Sequence, residues 1–349
     1  MASCGYSQRF IHDDKTTTVT ADTDTHVSQL APSEREERAC PVGCVPDDTP
    51  VITGPDRLHG MPGTFQVVRC EHCGLMRTNP RPTPDAMGWF YPEDYAPYAQ
   101  TLVATKPKGV SAPRKKKRRK KRLTPWYAPW VIKRPRTLPM DAPGRLLEIG
   151  CASGSFLHAC ERDGWTVSGI EFSPHAAQQA QAHGLDVQCS TIEAASDPDA
   201  PIDVVAAWMV LEHLHEPVAA LQKLHRWTRP DGWLVLSVPD ASAWEFKLFG
   251  NRWFALQLPT HLYHYAPRTL RVVLDRAGWS VERVFWYRNP NNLLISLSYW
   301  AADRGMPRFE RWLRDVAADR RGKRVKRTLG WWLALFRQSG RLTVWARRV

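Results

Sequence analysis

No stretch of about 18 consecutive apolar residues occurs in the chain, so nothing in it reads as a membrane-spanning helix. The opening residues, MASCGYSQRFIHDDKTTTVTADTDTHVS, are polar and mixed in charge. They lack the apolar core of a secretion signal, and a cytoplasmic location is the expectation. In that compartment the eight cysteines are expected to be reduced or metal-bound, not paired in a disulfide framework. No internal repeat is visible, and the full dinucleotide fingerprint G-x-G-x-x-G is missing. What is present is 349 residues with 43 % hydrophobic content, enough for a packed core in one large or two ordinary domains.

The net charge of +13 is unevenly placed. Residues 106–122 carry eleven Lys or Arg and no acid, and residues 303–349 carry fourteen against four acids. Setting these two segments aside leaves a body of charge −8, so the chain is an acidic domain with basic attachments and not a uniformly basic binder.

Residues 1–38, rich in Thr, Ser and Asp without apolar period, are expected to be a disordered tail. Residues 39–100 hold two close cysteine pairs and an aromatic segment. Residues 101–140 are basic and then Pro-rich, as expected of a linker. From residue 141 to the end, apolar strands alternate with helical patterns: RLLEI, a helix over 154–162, TVSGI, a helix begun by Ser173-Pro174, DVQC, IDVVAAW, a helix over 217–227, and WLVLSVP. A helix over 268–277 and a strand over 280–286 follow. A helical insertion over about 290–338 then precedes a last strand near 342–346. This order predicts an α/β fold with a mostly parallel sheet covered by helices on both faces.

The strongest local signal is LLEIGCASGSFL, residues 146–157. A buried strand delivers Glu148, a turn follows with Gly150 and Gly154, and then a helix begins. Glycines allow a sharp bend and close backbone approach, and the helix start offers free N–H groups. Glu171 follows Gly150 by 21 residues, at the end of the next strand, where an open α/β sheet places an acid for ribose hydroxyls. The pattern E-x-G-x-x-x-G resembles the first motif of class I S-adenosylmethionine-dependent methyltransferases. IDVVAAWMVLEHLHEP and TRPDGWLVLSVPD resemble later motifs of that superfamily, nearest to the ubiquinone-type O-methyltransferase group. The resemblance implies a Rossmann-like sheet of seven strands. It also implies that Glu148 and the loop Gly150, Cys151, Ala152, Ser153 and Gly154 surround the methionine part of the cofactor. By the same resemblance Glu171 holds the ribose with Phe172 beside the adenine, Thr191 and Ile192 lie near the adenine edge, and Trp208 contacts the cofactor from the fourth strand.

Cys40-x-x-x-Cys44 and Cys70-x-x-Cys73 are two short-spaced pairs that can close a tetrahedral Zn²⁺ site; the alternative is four unrelated thiols. CEHCGLMRTNPRP followed by WFYPEDYAPY resembles an N-terminal zinc ribbon found on a subset of these methyltransferases. That resemblance implies a structural metal or a module that shapes the substrate side. His72 and His59 read as surface residues beside it.

Methyl transfer needs an aligned nucleophile, helped by a base or a metal. Glu212 and His213 lie just past the fourth strand, and His261 and His264 follow the fifth, so these residues can face one crevice. Glu212, His213 and His261 are the catalytic candidates; a helix cap is the other reading of Glu212-His213. A metal there is disfavoured, because relatives that bind one carry an acid where Met209 stands. Tyr91, Tyr95 and Tyr98 are candidates for the pocket mouth or for packing.

PRKKKRRKKR reads as a nucleic-acid patch, a solvated loop or an attractor for anionic lipid. RTLGWWLALFRQSGR sets Trp331, Trp332, Leu333, Leu335 and Phe336 between arginines, as in an interfacial helix or one docked on a sheet edge. The expected partner is a small-molecule, sugar or lipid-linked acceptor, with peripheral membrane contact. The rivals are an RNA or protein methyltransferase that uses the basic loop, and a cofactor-binding scaffold without turnover.

Overall fold

The structure, a computed structural model, describes residues 34–91, 128–132, 136–318 and 322–349. The basic run 106–122, Tyr95, Tyr98 and nearly all of the expected tail lie outside the described residues. The end of that tail is ordered: β1 (Arg35–Glu36) pairs antiparallel with β5 (Arg81–Pro82), because Glu36 accepts from the buried Arg81 guanidinium at 2.8 Å.

Between them run β2 (Asp48–Pro55), β3 (Thr64–Cys70) and β4 (Met76–Thr78), and the short α1 (Pro84–Met87) follows β5. The main domain continues as β6 (Val131–Ile132), β7 (Arg145–Ile149), α2 (Ser155–Arg162), β8 (Thr166–Glu171), α3 (Pro174–Ala182), β9 (Val187–Cys189), β10 (Ile202–Trp208), α4 (Pro217–Trp227) and β11 (Thr228–Pro239). Then come α5 (Trp244–Phe249), β12 (Tyr263–His264), α6 (Pro267–Arg276) and β13 (Trp279–Tyr287). Three helices, α7 (Asn291–Ala302), α8 (Pro307–Ala318) and α9 (Lys323–Leu335), lead to β14 (Arg341–Arg348).

The large sheet has the order β6-β13-β14-β11-β10-β7-β8-β9. Every pairing is parallel except those of β14, which runs antiparallel to both neighbours. Seven strands were expected; the eighth is the two-residue β6 laid along β13 at the edge. Ser173 caps α3 by accepting from the Ala176 amide, with Pro174 at the first position, as its local sequence requires. The Pro230-Asp231-Gly232 turn falls inside β11 as a bulge. There pairing jumps from Ile202↔Thr228 to Val204↔Trp233, and Asp231 takes a φ of 58°.

Side-chain alternation divides the core between the two faces of the sheet. Leu147, Val205, Ala207, Leu234 and Leu236 pack under α4 and α6, against Leu221, Leu224, Leu270 and Val273. Leu146, Val204, Ala206 and Val235 pack under α2 and α3, against Leu157, Cys160, Ala177 and Ala180. A second, four-stranded antiparallel sheet has the order β12-β4-β3-β2. Its strand β12 comes from the main domain. The N-terminal segment therefore shares both a sheet and a core with it, the latter built from Phe65, Val67, Met76 and Phe90 against Phe246, Trp253 and Leu256.

Candidate functional site

The carboxyl ends of β7, β8, β10 and β11 open on one edge of the sheet, and the glycine loop lies there. Gly150, Ala152 and Gly154 all have positive φ, at 65°, 48° and 78°. A Cβ on Gly150 would lie 2.7 Å from Val210 Cγ2, and one on Gly154 would lie 2.3 Å from Leu185 Cδ1, so both positions demand glycine twice over. The alanine between them accepts left-handed backbone because its amide donates to Glu171 Oε2 at 2.7 Å. The Ser173 amide donates to the other oxygen at 2.8 Å. Glu171 thereby ties the loop to the end of β8. Burial raises its carboxyl above the ordinary value, and the amides of Ser173, Ala152 and Phe172 oppose the rise.

Glu148 is buried at the end of β7. Burial pushes it up to about 8; the Arg136 guanidinium opposes the shift and Glu171 adds to it. Its Oε2 and the indole Nε1 of buried Trp208 have no hydrogen-bond partner among the described residues. The orphaned carboxyl oxygen fits a cationic or donor group of a ligand, and the orphaned indole N–H fits an acceptor. Trp208 packs edge-to-face on Phe156 of α2 at 5.4 Å. Phe172 is 58 % exposed at the end of β8, whereas Ile192 is buried and Thr191 caps the turn after β9 by accepting from the Ala194 amide. Cys151 is buried against the β8 backbone. Gly169 makes this possible: a Cβ there would lie 2.7 Å from Cys151 Sγ. Gly169 was not singled out from the sequence, because its role appears only when α2 is laid across β8. Ser153 is also buried in the loop.

β10 ends at Met209, which takes a φ of 61°, and the chain turns through Val210 into a short helical turn over Leu211–His213. That turn brings Glu212, His213 and His261 together, with one ligand atom from each within 4.8 Å of the others. Glu212 is fully buried, both its oxygens lack a partner among the described residues, and burial pushes it up to about 8 against the opposing charge of Arg341. The two imidazoles stand edge-to-face at 4.7 Å.

His213 Nδ1 lies 2.9 Å from the Thr260 carbonyl and 2.8 Å from the Tyr91 hydroxyl. His261 Nδ1 lies 2.9 Å from the Ala255 carbonyl. A carbonyl can only accept, so both Nδ1 atoms carry the proton and both Nε2 atoms keep a lone pair. Burial holds both rings below the ordinary histidine range. The neighbouring imidazoles lower His261 further, and the carbonyls oppose. Two lone pairs and a carboxyl in this arrangement can accept a proton or hold a divalent ion. His264 does not join them. Its Nε2 faces the Thr78 hydroxyl at 3.4 Å on β4, and that hydroxyl donates to the His261 carbonyl at 2.8 Å.

Arg81, also not singled out from the sequence, bolts the N-terminal segment beside this cluster. It donates to the His215 carbonyl at 2.8 Å and to the Tyr263 hydroxyl at 3.1 Å while paired with Glu36. The four cysteines Cys40, Cys44, Cys70 and Cys73 also converge, with their sulfurs within 4.8 Å of one another. Two turns with glycine in left-handed backbone, Gly43 and Gly74, present them. Burial lifts Cys44 to about 11 and raises Cys73 too; at Cys70 the amides of Cys73 and His72 outweigh burial and lower it. His72 points to Asp47 at the surface, 3.9 Å away.

A mostly parallel sheet with one reversed strand, a glycine loop after its central strand and an acid ending the next strand define a class I S-adenosylmethionine-dependent methyltransferase domain. Residues 121–284 match the profile of a family described as a methyltransferase domain. The chain is 32 % identical over 132 residues to a ubiquinone biosynthesis O-methyltransferase of Paracidovorax citrulli (strain AAC00-1), covering 35 % of this chain and 56 % of that protein. It is 28 % identical to the protein of the same description from Alkalilimnicola ehrlichii, over 40 % of this chain and 59 % of that one. The chain thus spans somewhat over half the length of these relatives. A crystal structure of an S-adenosylmethionine-dependent methyltransferase from Mesorhizobium loti is also similar, at 16 % identity and a TM-score of 0.41. It covers 60 % of this chain and 94 % of that one.

Proposed function

We propose that the protein transfers a methyl group from S-adenosylmethionine to an oxygen, or a carbon, of a small metabolite, sugar or lipid-linked precursor. The carrying observation is the position of the Glu212–His213–His261 cluster on the same sheet edge as the glycine loop. Glu148, the loop Gly150 to Gly154, Glu171, Phe172, Thr191, Ile192 and Trp208 would hold the cofactor, which supplies an electrophilic methyl on its sulfonium. The neutral His213 receives the proton of an acceptor hydroxyl at Nε2 while the hydroxyl oxygen takes the methyl. The Thr260 carbonyl keeps the other ring proton in place, so only one nitrogen is basic. Glu212 and His261 orient the acceptor and exclude water. The names of the relatives support an oxygen acceptor.

The Glu212 carboxyl, without a partner among the described residues and grouped within 4.8 Å with one ligand atom of each imidazole, favours a second reading, in which these three residues hold a divalent ion that acidifies the acceptor hydroxyl. The four cysteines fit a structural Zn²⁺: they are four sulfur donors on two turns, with no open position for chemistry.

Calorimetry with S-adenosylmethionine, using Gly150→Arg as control, tests the cofactor. Absence of binding by the folded wild type defeats the proposal. With an acceptor in hand, His213→Gln should lower kcat by about a hundred-fold and leave cofactor affinity unchanged. Loss of activity on chelation, restored by a divalent ion, selects the metal reading over the base.

A further inference from the structure

Large apolar side chains are unevenly exposed on this protein. Among the described residues, Trp244 and Leu248 of α5, Phe309 and Trp312 of α8, Val325 and Trp332 of α9, and Phe336 just after it account for seven of the eleven that are exposed. These helices are neighbours. The Trp244 amide donates to Gln338 Oε1 at 2.7 Å, just past α9, and Lys326 Nζ of α9 donates to the Ala317 carbonyl of α8 at 2.9 Å.

Each helix is amphipathic in an unusual sense. On α8, Leu313 and Ala317 turn inward while Phe309 and Trp312 stack on each other outside, ring centroids 5.7 Å apart. On α9, Gly330, Leu333 and Ala334 face inward, and Gly330 lets the helix approach the Arg288 backbone to within 2.9 Å of a hypothetical Cβ. Its outer face carries Val325, Trp332 and Phe336, the last two stacked at 5.9 Å. The same two helices carry the exposed Arg308, Arg311, Lys323, Arg324 and Arg327, against the acids Glu310 and Asp315 on α8, and the segment 303–349 carries a net +10.

We infer that the outer faces of α8 and α9, with the start of α5, form a docking surface for an anionic lipid bilayer. Aromatic rings at this spacing would enter the headgroup boundary, and the arginines and lysines around them would meet lipid phosphates. Neither chemistry alone accounts for the face. A basic stripe for nucleic acid needs no apolar row, and a self-association patch needs no excess of positive charge. The inference stands independently of the methyl-transfer reading, because it uses none of the residues of the sheet edge. If both hold, the sheet edge that α5 follows would open toward a lipid-linked acceptor.

The test is co-sedimentation of the full chain with vesicles of phosphatidylglycerol and phosphatidylcholine, against vesicles of phosphatidylcholine alone. Binding is expected only to the anionic vesicles and should weaken with salt. Trp332→Ser with Phe336→Ser should reduce it at least ten-fold at an unchanged melting temperature. Arg324→Gln with Arg327→Gln, which leaves the apolar row intact, should reduce it about thirty-fold, from ~1 kcal/mol for each charge. No sedimentation of the wild type overturns the inference, and so does equal sedimentation of wild type and both variants. Oligonucleotide binding through these residues in place of vesicle binding assigns the face to nucleic acid and overturns it as well.

Discussion

Cofactor affinity should depend on pH through one acid. Burial pushes Glu148 up to about 8, so at neutral pH the free protein carries it protonated, with Oε2 unpartnered among the described residues. In the proposed complex the cationic methionine end of the cofactor meets this carboxyl and favours its ionised form. Binding then expels about one proton wherever the pH lies below the free value and above the bound one. A pKa unit is worth about 1.4 kcal/mol, so affinity should rise about ten-fold per pH unit. Between pH 5 and 7 that makes about a hundred-fold. This window lies below the titration of the ligand's own ammonium, at about 7.7.

Isothermal calorimetry in two buffers of different ionisation enthalpy counts the proton directly. Glu148→Gln has no proton to release, so its affinity should be flat across the same window. A wild-type affinity that stays constant from pH 5 to 7, or an identical slope in the variant, would refute the assignment of Glu148 to the cofactor's cationic end.

Gly154→Ala should cost about 2–4 kcal/mol, since its Cβ meets Leu185 at 2.3 Å in left-handed backbone. Gly184→Ala, equally left-handed but with nothing within 4 Å, should cost only about 1 kcal/mol; urea unfolding compares the two. Asp48→Ala leaves the buried Arg77 guanidinium without its carboxylate and should destabilise by about 3 kcal/mol, partly recovered when Arg77→Met is added. At Asp203, burial opposes ionisation, but the Arg145 amide and the Arg229 guanidinium prevail and hold the carboxyl below its usual range. Its stabilisation is therefore present above the unfolded carboxylate value of about 3.9 and is lost as pH falls through the lower folded one. The stability gap between wild type and Asp203→Asn should close in acid, as thermal unfolding across pH 2–6 would report.

Much of the candidate site was legible because its signals are local. Glu148, Gly150, Gly154 and Glu171 sit at fixed offsets from strand ends, and the turn that needs left-handed backbone declares itself by glycine. The two cysteine pairs were readable for the same reason: each pair closes within one turn. His261 was read as a catalytic candidate and His264 as able to face the same crevice, but only the first joins the cluster. Two residues separate His261 from His264, yet one ring turns to Glu212 and the other to Thr78, because β12 pairs with β4 and fixes which side each faces.

The sequence by itself determined the alternation of strands and helices, the strand-ending acids and the glycine loop. These follow from periodicity, propensity and steric limits within a dozen residues. Only the tertiary structure decided that β14 inserts antiparallel between β11 and β13 and that β12 joins the N-terminal sheet. It alone decided that Gly169 clears space for Cys151, and that Arg81 clamps the N-terminal segment beside Glu212 and His213. Each of these depends on groups brought together from 18 to more than 180 positions apart, as Cys151 is from Gly169 and Met76 from His264. At such separations the partner is selected by which edge hydrogen bonds and which buried charges remain to be satisfied, and no short window of residues contains that information.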